Sequence, residues 1–310
     1  MLFARLLLFL ALPFIWGCRD RPTTSTASNT KAEVKKLQVV CTTGMVADLV
    51  RRIAGTHVEV VQLMKAGVDP HLYKASPGDM KLLNGADIIF FSGQHLEGKM
   101  ADLLTGLGKS RRCVAVTDKI PANLLLKSED GIVDPHLWFD VTLWKMAALR
   151  INEVLCEADP SYAEGYQMAA ASLDVDLTRL HDYVKSEIAS IEKSRRVLVT
   201  AHDAFQYFGK AYSMEVHSIQ GISTESEASV KQVNDLVSFI VSHKIKAVFV
   251  ESSVSEKNIN ALVEGCKAQG HKVEIGGELY SDAPGPDGTP DATYLGMVRH
   301  NVDVIVKALK

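Results

Sequence analysis

Apolar positions along the chain follow two alternating patterns. Short apolar runs at residues 37–42, 58–63, 86–92 and 113–117 are separated by stretches of helical spacing, the first of them over 45–54. Runs of the first kind read as strands, and strands that alternate with helices predict parallel βα units. The pattern restarts at 196–201, 215–219, 247–251 and 272–275, with helical stretches over 230–242 and 256–269 between. The expected fold class is α/β, with two βα lobes of parallel sheet over 37–159 and 196–310.

Between the lobes, apolar residues from Tyr162 and Tyr166 through Leu173, Leu177 and Leu180 to Val184, Ile188 and Ile191 recur mostly at intervals of three and four. That spacing predicts one long linking helix within 160–195, about 34 residues and roughly 50 Å long. Pro160 suits its first turn, where a missing N–H costs nothing. The other reading is two shorter helices broken near Gly165.

The amino-terminal run over 6–16 follows Arg5 and is too short to span a bilayer, which takes about 20 helical residues. Residues 1–17 therefore read as a signal peptide. Ile15-Trp16-Gly17-Cys18 resembles a bacterial lipobox, although Trp16 is bulkier than that pattern has. A lipid on Cys18 is the expectation, and a signal cleaved elsewhere or kept as an anchor is the alternative. Residues 18–36 are polar and rich in Ser and Thr, and read as a flexible tether. On either reading the protein is exported, either periplasmic or held on the outer face of the cytoplasmic membrane.

Composition narrows the function. With 47% hydrophobic and 23% charged residues the chain is an ordinary globular one, and a net charge of −3 without a long basic stretch argues against a nucleic-acid partner. Beyond Cys18, Cys41, Cys113, Cys156 and Cys266 stand singly, so neither zinc-finger nor thioredoxin spacing is present. Buried free thiols are expected, with a disulfide left open.

Three of the ten histidines stand out. Asp69-Pro70-His71-Leu72-Tyr73 and Asp134-Pro135-His136-Leu137-Trp138 repeat one pattern about 65 residues apart. Asp-Pro interrupts regular structure and presents each histidine on a stiff loop, which suits a metal ligand. The upstream Asp is also in reach to hold the second imidazole nitrogen. His202 follows an apolar strand, with Asp203 as the expected helix N-cap, and so lies where ligands bind in open α/β sheets. An oxygen ligand is expected after the last strand, where Asp282 competes with Glu278 and Asp287. His95 is a reserve ligand, Glu251 and Glu227 are candidates to support ligands from behind, and His57, His181, His217, His243, His271 and His300 read as structural or exposed.

Several other chemistries fall away. Gly106-Leu107-Gly108-Lys109-Ser110 imitates the end of a phosphate-binding loop, but Leu103 stands where that loop needs glycine. Neither the G-x-S-x-G elbow nor the H-E-x-x-H helix occurs. The His202-Asp203 dyad matches HD-type phosphohydrolases only in letters, because those enzymes are all-helical.

Taken together, the tethered export signal, two βα lobes, long helix and histidine loops resemble the TroA-type metal-binding receptors of ABC importers. The resemblance runs from about residue 37 to the end and rests on the two Asp-Pro-His turns, Leu137-Trp138-Phe139-Asp140, Thr200-Ala201-His202-Asp203-Ala204-Phe205 and Glu278-Leu279-Tyr280-Ser281-Asp282. It implies four metal ligands: His71 and His136 from the first lobe, His202 and Asp282 from the second. It implies a zinc or manganese cargo, iron being a third option. His202 leans the site toward zinc, whereas 119–133 lacks the histidine-rich loop of dedicated zinc receptors. The implied partners are a membrane permease and its ATPase, served by a monomer that does no bond chemistry and closes by small lobe tilts. An envelope zinc hydrolase and a surface adhesin are the rival readings.

Overall fold

In the first half of the chain, apolar strands assemble one parallel sheet. The computed structural model describes residues 36–128 and 130–310 together with Ala11, and the expectations for the signal segment, the tether up to residue 35 and Cys18 lie outside them. Strands β1 (Leu37–Cys41), β2 (Val58–Gln62), β3 (Ile88–Phe91) and β4 (Arg112–Ala115) pair in the order β2-β1-β3-β4. Helices α1 (Gly44–Ala54), α2 (Pro77–Gly85) and α3 (Ala101–Leu107) make the crossovers. The helix α4 (Val141–Ala158) then leads to the long helix α5 (Ala163–Ala189).

The second lobe is again built of parallel βα units, but in two separate two-stranded sheets: β5 (Val197–Thr200) pairs with β6 (Glu215–Ser218), and β7 (Ala247–Glu251) with β8 (Glu274–Leu279). Its helices are α6 (Gln206–Tyr212), α7 (Val230–His243), α8 (Lys257–Ala268) and α9 (Tyr294–Leu309). The expected class, two βα lobes joined by one long helix, is the class observed. None of the described helices is long and apolar enough to cross a membrane.

The long helix is shorter than its periodicity predicts, 27 residues, or about 40 Å. At its start, Pro160–Tyr162 form a separate 3-10 turn, and the Tyr162 ring folds over Gly165 so closely that a Cβ there would lie 2.4 Å from it. Gly165 itself stays inside the helix, so the helix is not broken there. At its end, the Arg196 guanidinium donates to the carbonyl of Ala189, which the last turn leaves free, and to that of Ile191 just beyond the helix, each at 2.9 Å. Tyr166, Ala170, Leu173, Leu177, Leu180, Val184 and Ile188 form its buried face. That stripe packs on α1 and α4 from one lobe and on α6 and α9 from the other, within one continuous apolar core.

Strand β8 is longer than expected, running through 276–279, which reads as loop in the sequence. Gly276 and Gly277 are the reason. They lie where α9 packs directly on the strand: a Cβ on Gly276 would meet Ala308 at 2.8 Å, and one on Gly277 would meet Val304 at 2.6 Å. The register shift of β8 against β7 between Val248 and Phe249 falls at the same point and pairs Glu251 with Leu279. Both strands thus deliver their next residues to one end of the sheet.

Because Gly277 also has φ +148, a side chain there is strained as well as crowded. Gly277→Ala is expected to lower stability by about 1–3 kcal/mol, seen as a lower thermal midpoint. An unchanged midpoint would contradict the close approach of α9 to β8.

Candidate metal centre

Each segment that carries a candidate ligand begins at the carboxyl end of a strand or in a turn beyond it. In both Asp-Pro-His repeats the Asp side chain bends back to its own chain: Asp69 Oδ1 accepts from the His71 backbone N–H at 2.8 Å, and Asp134 Oδ1 from that of His136 at 2.9 Å. Asp commonly closes turns in this way, and the intervening Pro keeps each turn out of a helix. The residues after His136 carry the design further. Trp138 and Phe139 are buried in a 3-10 turn, and Asp140 caps α4 by accepting from Thr142 N–H at 2.8 Å. The Phe139 ring stacks on Phe205 of the second lobe, 4.3 Å between centroids.

His202 stands two residues past β5, and Glu251 ends β7. The Glu251 carboxylate accepts from the backbone N–H groups of Ala201 and His202 at 2.8 and 2.9 Å, and from His202 Nδ1 at 2.5 Å. Asp134 plays the same part for His136, accepting from Nδ1 at 2.7 Å. Both arrangements turn Nε2 inward and fix the tautomer, as carboxylates behind metal-binding histidines do. Asp282 comes three residues after β8 on a segment clamped by the Asn301 carboxamide. That group accepts from Tyr280 N–H and donates to Tyr280 C=O, both at 2.8 Å, while Trp138 Nε1 donates to the Ser281 carbonyl at 3.0 Å.

The four expected residues, His71, His136, His202 and Asp282, come together as one buried cluster with their ligand atoms all within 4.8 Å of one another. His71 Nε2 lies 3.4 Å from His136 Nε2, His136 Nε2 lies 3.4 Å from Asp282 Oδ1, and His202 Nε2 lies 3.3 Å from Asp282 Oδ2. A tetrahedron with bonds of about 2.0–2.1 Å has edges of about 3.3–3.4 Å, and these three contacts, two of them to different oxygens of Asp282, fall at that length. His202 Nε2 and Asp282 Oδ1 are buried without a hydrogen-bond partner. A cation between the four groups satisfies both.

Charge points the same way. Burial lowers the affinity of His136 for a proton, but Asp134 behind it and Asp282 before it outweigh that effect and raise its pKa to about 9. Glu251 and Asp282 likewise overcome burial at His202 and hold it well above the ordinary histidine range. Asp282 is held well below the carboxylate range because the facing His202 and His136 outweigh its burial. His71 is pulled down to about 3, first by burial and then by the positive charge of the other two imidazoles, against the opposing pull of Asp282. The centre favours positive charge and can hold a divalent ion.

Other expectations fare differently. Asp203 does not cap a helix: α6 begins only at Gln206, and Asp203 accepts from the Gln206 side chain at 2.7 Å. Asp69 does not reach its own histidine ring, because its Oδ2 accepts from Thr224 at 2.6 Å. His95 is exposed beside a separate cavity and stays outside the cluster. Glu278 lies within β8, Asp287 is exposed, and Glu227 lines the cleft rim near Asp69. The remaining histidines make local contacts, such as His271 with the Ile245 carbonyl and His300 with that of Glu278. Cys41, Cys113, Cys156 and Cys266 are free. Sequence reasoning gives no role to Asn301 or Thr224, and no local signal marks either one.

Comparison with known proteins agrees with this geometry. The family model described as zinc-uptake complex component A, periplasmic, matches residues 39–308. The chain is 49% identical over 286 residues to the manganese-binding lipoprotein MntA of Bacillus subtilis, covering 92% of this chain and 94% of that one. It is 45% identical over 271 residues to the zinc-binding protein TroA of Treponema pallidum, covering 87% and 88% respectively. The solved structure of periplasmic TroA from the same organism aligns with a TM-score of 0.87 at 46% identity, over 89% of this chain and 99% of that chain. The chain therefore belongs to the zinc-uptake complex component A family, the extracytoplasmic TroA-type receptors that bind metal ions for ABC importers and are not enzymes.

Proposed function

We propose that His71, His136, His202 and Asp282 are the ligands of one divalent cargo ion, zinc or manganese, which the protein passes as a monomer to a membrane permease driven by a cytoplasmic ATPase. The observation that carries this reading is the pair of buried, unpartnered atoms, His202 Nε2 and Asp282 Oδ1, inside a cluster whose closest contacts have the length of a metal-centred tetrahedron's edges. Three imidazoles and one carboxylate suit zinc and also accept manganese, with zinc the tighter by the usual affinity order. The relatives named above divide between the same two metals. All four ligand positions come from protein side chains, which favours holding an ion over activating water on it. Two ligands come from each lobe, so both must be in place for full affinity, and both must part for release. The apolar core shared by α1, α4, α5 and α9 limits that parting to small lobe tilts.

The chain purified without chelator should bind about one equivalent of zinc or manganese by calorimetry. His202→Ala and Asp282→Ala each remove a ligand and are expected to weaken binding at least 100-fold. Glu251→Gln, which leaves all four ligands but weakens the support of His202, should cost about 10–100-fold. Wild-type affinity in the two alanine variants would contradict the ligand assignment.

Protons compete with the ion for the imidazole nitrogens, since a bound imidazole must be deprotonated. The carboxylates that raise His136 and His202 strengthen this competition. Affinity should therefore rise with pH between 5 and 8, and binding should release protons into a weakly buffered solution. A flat profile over that range would contradict coordination by three histidines.

A further inference from the structure

Three of the four side chains in the cluster are held firmly from behind, and one is held differently. His136 leans on Asp134, His202 on Glu251, and the Asp282 segment on Asn301 and Trp138. His71 makes no hydrogen bond through Nδ1 among the described residues. Its equivalent carboxylate, Asp69, instead spans the two lobes. Asp69 Oδ1 accepts from the His71 backbone N–H at 2.8 Å, while Oδ2 accepts from the Thr224 hydroxyl at 2.6 Å. Thr224 belongs to the segment between β6 and α7 in the second lobe.

A second contact grips the same place. Lys99 of the first lobe pairs with Glu225 at 2.7 Å. The adjacent Gly98 lies so close that a Cβ there would stand 2.8 Å from Glu225 Oε1 and 3.5 Å from the His71 carbonyl. The groove lined by Asp69, Leu72, Thr224, Glu227 and Ser253 opens on this rim. The His71 turn is thus the wall of the cluster that faces the groove, and a segment of the opposite lobe holds it there.

We propose that Thr224, acting through Asp69, is a positioning residue that seats His71 against the ion and sets the rate at which the ion leaves. This inference rests on the ligand reading above. The other three ligands are each held from behind within their own lobe or across the seam, and breaking the Thr224–Asp69 hydrogen bond as the lobes tilt frees the fourth to swing away with its turn. Thr224 is half-buried and its hydroxyl bonds to Asp69 and to none of the other three ligands, so its removal leaves those three in place.

The test uses the full chain with Thr224→Val, which keeps the side-chain shape and removes the hydroxyl, and Thr224→Ser, which restores it. Zinc-loaded protein is mixed with excess chromophoric chelator in a stopped-flow instrument. Cobalt-loaded protein reports the ligand set through its visible absorption. Thr224→Val should release zinc about tenfold faster, as expected for loss of one hydrogen bond to a charged group, while Thr224→Ser stays near the wild-type rate. The cobalt spectrum and the melting temperature of the ion-free protein should be the same for all three. Wild-type release from Thr224→Val, or equal acceleration in both variants, would overturn the latch while leaving the ligand assignment standing. A wild-type chain that takes up neither zinc, manganese nor cobalt would remove the ligand reading and the latch with it.

Discussion

The contact on which the rest of the structure depends is the buried approach of one carboxylate, Asp282, to imidazoles from both lobes. Its two oxygens lie 3.4 Å from His136 and 3.3 Å from His202. Burying a carboxylate is costly unless charge and hydrogen bonds compensate it. Much of the second lobe is arranged to meet that requirement. The glycine pair in β8 lets α9 lie directly on the strand, α9 carries Asn301 to the Tyr280 backbone, and Trp138 crosses from the first lobe to hold Ser281.

A second constraint follows from the first. Imidazoles that face a carboxylate would be free to rotate or present the wrong nitrogen without a partner behind them. Asp134 and Glu251 remove that freedom for His136 and His202, and Glu251, at the end of β7, also fixes the backbone beyond β5 by accepting from the N–H groups of Ala201 and His202. The two Asp-Pro-His repeats share the same local turn yet serve different ends. Asp134 turns to its own ring, and Asp69 turns to the opposite lobe. One repeat braces its own imidazole and the other ties its turn to the opposite lobe.

Where information is local, the sequence is legible. The strand runs near 37–42, 58–63 and 247–251 become β1, β2 and β7 within a residue, because alternating apolar strands and helices are set by short-range pattern. His71 and His136 are legible because each turn is closed by an Asp two residues away. Asp282 is legible only through family resemblance, since Glu278 and Asp287 have similar sequence surroundings. The misreadings come from packing at a distance. Gly276 and Gly277 read as loop because their need is set by Ala308 and Val304 on α9, and the ends of α5 depend on Tyr162 and Arg196 side chains that periodicity does not weigh. Asp203 reads as a cap, but the helix it precedes begins later. Thr224 is one polar residue among many in its segment, and its partner lies 155 residues away.

The central claim is that one ion is held jointly by His71, His136, His202 and Asp282. X-ray absorption on the zinc-loaded protein tests it most directly. The account predicts a single first shell of nitrogen and oxygen at about 2.0–2.1 Å, with the outer-shell pattern of three imidazoles and no sulfur. A shell containing sulfur at about 2.3 Å, or one with a single imidazole completed by water, would contradict it.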